Sequence, residues 1–118
     1  ASCLVGSEMC IRDRMFITDF SSFVFDFAYL CRPVLYFVPD YGQFKAGMNH
    51  YRELDLPFEE AFGPLVLDPD GAVEEIKKAA ENGFEPEPIY AERMRSFFYP
   101  LENCAEALYN EVSSWDCL

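Results

Sequence analysis

Two short stretches of unbroken hydrophobicity, "MFIT" at residues 15–18 and "PVLYFV" at residues 33–38, constrain this chain more than any other feature. Neither alternates apolar with polar, as a half-solvated strand would. Each has strand length and a sharp stop, so both read as strands buried on both faces. Between them "SSFVFDFAYLC" reads as a helix to about Cys31, with Ser21 or Ser22 as its N-cap. Arg32-Pro33 ends it, because the residue before a proline is pushed out of helical backbone. Strand, helix and strand in such close succession make a βαβ unit, which implies a parallel sheet covered by helices. The expected fold class is therefore α/β: a Rossmann-like, three-layer fragment with short parallel strands.

The rest of the chain fits that class. Pro39-Asp40 opens a loop, and "YGQFKAGM" forms a short helix. "NHYRELDLPFEEAF" is irregular and reads as a surface loop, and "GPLVLDP" is a third short strand. Asp68-Pro69-Asp70-Gly71 reads as a turn. In "GAVEEIKKAAENG" Val73, Ile76 and Ala80 share one helical face, and Gly83 is the natural C-cap. "FEPEPIY" reads as extended, a helix runs from Ala91 to about Phe98, and "ENCAEALYNEVSSW" is a final amphipathic helix.

At 118 residues, half of them hydrophobic, the chain holds at most one domain with a modest core. Its net charge of -12 argues against nucleic acid or anionic lipid as a partner through the general field. A local phosphate site is not excluded, since backbone amides build one without basic residues. No apolar run reaches the roughly 20 residues of a membrane span. Five cysteines without CxxC spacing, and a single histidine, do not make a Cys/His zinc site. They read as reduced thiols, and no metal is expected; Glu59-Glu60 reads as a solvated pair rather than a ligand pair. The opening residues 1–14 have no strand or helical period and are not a signal peptide. "VGSEMCIRDR" resembles the read-through translation of a sequencing adapter. Residues 1–14 are therefore expected to be a non-native leader, with the domain at 15–118.

The chemistry concentrates where the first strand ends. A helix that starts at the C-terminal edge of a parallel strand presents free N–H groups and the positive end of its dipole, and open α/β sheets bind ligands at that edge. Ser21 and Ser22 add two hydroxyls there, which suits a phosphate or diphosphate; both are equally suited to cap the helix and do nothing else. Asp19 either holds the turn or meets a ligand hydroxyl. Asp26 favours the dipole but repels an anion.

"ITDFSSFVFDFAYLCRPVLYFVPDYGQF" resembles the C-terminal half of the CDP-glycerol glycerophosphotransferases, the teichoic acid primases and polymerases. Their pattern is a strand, T-D-[FY]-S-S, two variable residues, F-D, a run to a proline, and an aromatic strand closing on Asp. Here these are Thr18-Asp19-Phe20-Ser21-Ser22, Phe25-Asp26, Pro33, Tyr36-Phe37 and Asp40. Gly63-Pro64 is similar to the family's P-G-P, and "YPLENCAEALYNEV" to its closing helix, so the resemblance covers residues 15–112. It implies the end part of the C-terminal domain of a GT-B fold, in which two Rossmann-like domains face each other across the active site. It further implies CDP-glycerol as donor and substrate, no separate cofactor, and a lipid-linked polymer as acceptor, with CMP released. The partners implied include an N-terminal domain of the same protein, and no nucleic acid. The parent enzyme would be cytoplasmic and peripheral to the membrane.

By the same resemblance Ser21 and Ser22 would contact the donor diphosphate, with Asp19 and Thr18 shaping the turn. Asp26, Asp40, His50 and Arg52 are further candidates for the cleft, Arg52 being the nearest match to the arginine of the family's Arg-Gly-Phe-Tyr-like stretch. The family's catalytic histidines lie upstream and in the other domain, so no catalytic base is assigned here. The alternatives are another GT-B nucleotide-sugar glycosyltransferase or epimerase, and a non-catalytic phosphate-binding module.

Overall fold

A computed structural model describes residues 13–47, 54, 56–98 and 103–115. Three strands, β1 (Phe16–Thr18), β2 (Val34–Phe37) and β3 (Leu65–Val66), form one parallel sheet in the order β1-β2-β3. Phe16 stands beside Val34 and Thr18 beside Tyr36, and on the other edge Tyr36 stands beside Leu65. Among the described residues the α-helices, in chain order, are α1 (Val24–Tyr29), α2 (Tyr41–Lys45), α3 (Pro69–Glu81), α4 (Pro88–Phe97) and α5 (Cys104–Ser113).

Consecutive residues Val34, Leu35 and Tyr36 are all buried. Since neighbours on a strand point to opposite faces, both faces of β2 are covered, as the unbroken hydrophobic run requires. Val34, Tyr36 and Val38 pack with Val24, Phe27 and Ala28 of α1 and Met94 of α4. Leu35, on the opposite face, is fully buried, and α3 packs against β2 and β3. The expected strand–helix–strand unit and its parallel pairing are present.

The elements differ from expectation at their edges. α1 starts at Val24, three residues after Ser21, and ends at Tyr29. Cys31 then takes left-handed backbone (φ 50°), which turns the chain into β2. Asp68-Pro69-Asp70-Gly71 is the start of a helix rather than a turn. Asp68 is the N-cap, its Oδ1 accepting from the Gly71 N–H at 2.7 Å, and Pro69 takes the first helical position, where its missing N–H costs nothing. Gly83 follows the last turn of α3 at φ 67°, the left-handed position that glycine fills without strain. "FEPEPIY" is not extended throughout, since Phe84 takes left-handed backbone (φ 59°) and α4 begins at Pro88. α5 opens with a reciprocal cap: Asn103 Oδ1 accepts from the Glu106 N–H and Asn103 Nδ2 donates to the Glu106 carboxylate, both at 3.1 Å.

The largest departure is the presumed surface loop. Much of it, 49–53 and residue 55, lies outside the described residues, as does most of the expected leader at 1–14. Its end is core: Phe58, Ala61 and Phe62 are buried, with Phe58–Glu60 in a 3-10 turn. Arg93 of α4 ties this segment down, its guanidinium donating to the Ala61 carbonyl at 2.9 Å.

Two substitutions test this account. A Cβ at Gly63 would overlap the carbonyl oxygen of Val34, a backbone atom that cannot swing aside. Gly63→Ala should therefore force β2 and the 61–64 segment apart and cost about 2–3 kcal/mol in urea unfolding. Asp68→Ala removes only the cap of α3 and should cost about 1 kcal/mol.

Candidate functional site

β1 ends in Thr18, whose side chain is buried, and the chain reverses through Asp19-Phe20-Ser21-Ser22 before α1 begins. Ser21 does act as a cap, but of the turn that precedes the helix. Its Oγ accepts from the Phe23 N–H at 3.2 Å, and its carbonyl accepts from the Val24 N–H at 3.3 Å. The Ser22 carbonyl takes the Phe25 N–H at 3.2 Å. The amides of residues 23–25, which the dipole argument offers to a ligand, are thus committed within the corner itself. The structure leaves the Ser21 and Ser22 side chains exposed beside them.

These residues form one wall of a cleft of about 200 Å³ at the carboxyl end of β1 and β2. Asp19, Phe20, Ser21 and Ser22 line it, with Val24 and Phe25 of α1 beside them and Tyr36, Leu54, Leu56 and Phe58 completing it. Of the sequence candidates, Asp19, Ser21 and Ser22 are brought together here. Thr18 sits beneath, as the last residue of β1. Asp26 and Asp40 do not line the cleft: Asp26 is exposed in the first turn of α1, and Asp40 is exposed at the N-cap of α2 without a side-chain cap bond. His50 and Arg52 lie outside the described residues.

The sequence reading missed the aromatic half of the cleft. Phe20 stacks on Phe44 with ring centroids 4.4 Å apart and stands 6.1 Å from Phe58. Tyr36 meets Phe58 edge to face at 5.1 Å. Tyr36 had a usable signal, since it sits near the carboxyl end of a parallel strand, where ligands bind. Phe58 had none, being one aromatic in an aperiodic acidic segment. Among the described lining residues there is no Lys or Arg.

A larger cleft of about 400 Å³ lies at the opposite end of the strands, between Met15, Pro33, α3 and Tyr90. Its cation Lys78 is engaged by Glu75 at 2.6 Å. It is at the wrong edge of a parallel sheet for a ligand site of this fold class, so the smaller cleft is the candidate.

Residues 6–113 match the family described as CDP-glycerol:poly(glycerophosphate) glycerophosphotransferase, a span that reaches back into the opening segment. The chain is 38% identical over 79 residues to the teichoic acid poly(glycerol phosphate) polymerase of Bacillus subtilis (strain 168), covering 66% of this chain and 10% of that protein. It is 30% identical over 105 residues to the minor teichoic acid biosynthesis protein GgaB of the same organism, covering 87% of this chain and 11% of that one. The solved structure of a histidine-to-alanine variant of the wall teichoic acid polymerase TagF shares the fold, with a TM-score of 0.62 at 20% identity over 89% of this chain and 25% of that chain. The chain thus spans only about a tenth of the length of these two curated relatives.

Tyr36 gives the cleft a titration signature. Burial pushes its phenol above the ordinary 10.0, against a smaller opposing effect of a hydrogen bond from the Phe62 backbone. Below pH 10 the phenol is protonated in folded and unfolded chains alike. Above it the unfolded chain releases a proton that the folded chain still holds, so stability falls as pH rises. Tyr90 adds to the same trend, its phenol raised by burial and by the charge of Glu87. Urea midpoints should decline above pH 10, and Tyr36→Phe should make the decline shallower.

Proposed function

The chain belongs to the CDP-glycerol:poly(glycerophosphate) glycerophosphotransferase family, and from that membership we propose that it is the end part of the C-terminal domain of a GT-B transferase. The parent moves glycerol phosphate from CDP-glycerol to a lipid-linked, teichoic-acid-type acceptor. An acceptor hydroxyl attacks the donor's β-phosphorus, a new P–O bond forms, the diphosphate bridge breaks, and CMP leaves. The hydroxyl proton passes to a base held outside this chain, in the N-terminal domain or the upstream residues. The parent works at the cytoplasmic face of the membrane as a peripheral protein; among the described residues no helix is long and apolar enough to cross one. It uses no separate cofactor and no nucleic acid.

The observation that carries this reading is the placement of Asp19, Ser21 and Ser22 around one cleft at the carboxyl edge of a parallel sheet. The two exposed hydroxyls donate to the donor diphosphate at the mouth. Thr18 anchors the turn from below, and Asp19 shapes it. Asp26 and Asp40 do not line this cleft, and His50 and Arg52 stay candidates for the site outside the described residues.

The test is a titration of the chain with CDP-glycerol, followed by NMR. The double variant Ser21→Asp, Ser22→Asp puts two carboxylates where the phosphates sit. Asp accepts the same turn bonds as Ser, so the fold should persist while affinity falls at least about tenfold. Unchanged affinity would remove the diphosphate from this corner. Equal competition by a UDP-linked donor would transfer the assignment to another nucleotide-using enzyme of the same architecture.

A further inference from the structure

The last helix, α5, buries none of its residues. Leu108 is 65% and Tyr109 71% exposed, and Trp115, just past the helix, also faces water. Leu108, Tyr109, Val112 and Trp115 recur at the three- and four-residue spacing that puts them on one helical face. Ten residues make a helix that is marginal in water by itself, so its stability depends on covering that face.

The same chain exposes a second surface of matching character. α1 and α4 lie side by side, and their aromatic rings touch one another. Phe25 stacks on Phe97 with centroids 5.5 Å apart, Phe97 meets Phe98 at 5.2 Å, and Tyr29 meets Phe98 at 5.4 Å. The buried ring of Phe62 stands 5.2 Å from Phe97 and gives the group a rigid base. Tyr29 is nevertheless 67% exposed, and Phe25 and Phe97 are exposed with it. Rings that touch and still face water form a contiguous patch, which marks a contact surface.

A single copy leaves both surfaces open. Phe98 leaves α4 in extended backbone (φ -92°, ψ 141°), and Pro100 follows in the four-residue link to Asn103. A short link stiffened by proline resists doubling α5 back onto its own α4 and favours exchange between chains. We infer that two copies of this chain associate by reciprocal exchange, α5 of each lying on the α1–α4 patch of the other. Both halves of the contact are in one sequence, so a two-fold pair closes and leaves neither surface over. Each copy brings three large side chains from each surface. If each of them gives up about 100 Å², roughly half of what a buried aromatic covers, the pair buries about 1,200 Å², the lower end of stable interfaces. Phe25 belongs to the patch and also lines the 200 Å³ cleft, so the exchanged helix lies beside the candidate site. The net charge of -12 on each copy opposes the pairing, and salt screens that repulsion.

Sedimentation equilibrium of the 118-residue chain in reducing buffer tests this, with Trp115, its one tryptophan, reporting on α5. A dimer of micromolar Kd is expected. Its Trp115 emission should move to shorter wavelength as concentration rises, and its Kd should fall as salt is raised. Tyr29→Gln on the patch and Leu108→Gln on α5 each remove a contact twice in a two-fold pair, and each should weaken the dimer at least about tenfold. In a mixture of isotope-labelled and unlabelled chains, filtered NOEs should join the Trp115 indole to the Tyr29 ring. A dimer without such NOEs overturns the inference, whether or not the variants fold. A chain that stays monomeric at several hundred micromolar also overturns it, including one whose Trp115 is already shielded by its own chain. So does a dimer that survives Tyr29→Gln but not Leu108→Gln, since it is held by α5 against α5.

Discussion

The hydrogen bonds on the two edges of β2 hold the sheet, and with it the corner after β1, in place. On one edge Phe16 donates to the Pro33 carbonyl at 3.0 Å; on the other, Tyr36 and Val38 donate to the Pro64 and Val66 carbonyls at 2.9 and 3.0 Å. The flanking strands have three and two residues, too few to pair without a buried partner. β2 supplies that partner because both of its faces are dry: Leu35 alone, fully buried, contributes about 1.5–3 kcal/mol by leaving water. The sheet then sets the position of the corner. Thr18 is beside Tyr36 in register, so the turn after β1 and the aromatic floor of the cleft are placed by the same pairing. Gly63 is part of this constraint, since only a residue without a side chain lets the 61–64 segment approach the Val34 carbonyl.

That dependence explains which parts of the fold were legible in the sequence. Uninterrupted runs such as "PVLYFV" carry their own signature, because a strand buried on both faces has no polar alternation to show. The amphipathic period of α3 is similarly local. The start of α3 was misread because Asp-Pro-Asp-Gly is written in turn residues. The same Asp and Pro are also an N-cap and a first helical residue, and only the continuing helix decides between them. Phe58, Ala61 and Phe62 were illegible for a different reason. Their burial comes from contact with β2, α1 and α4, elements distant in sequence, and the acidic residues around them suggest solvent.

The candidate cleft was legible in its polar half alone. Thr18, Asp19, Ser21 and Ser22 interrupt two apolar elements, and a polar break at a strand's carboxyl end stands out in the sequence. Its detail was not. Ser21 closes a turn ahead of the helix, so the amides of residues 23–25 are already bonded. With those donors used, the six-residue α1 offers an anion less than its sequence suggested. What the corner leaves exposed is the pair of serine side chains rather than the helix amides.

Charge limits what the described part of the cleft can hold by itself. The chain carries a net charge of -12, and screening in physiological salt extends over only about 8 Å, so near neighbours decide what a bound anion feels. At the cleft the described neighbours are one carboxylate, two serine hydroxyls and aromatic rings, with no cation. An anion held by these described residues alone would be under-neutralised. For the transfer proposed above, the positive charge that a phosphoryl group in transit requires would come from residues beyond the described ones.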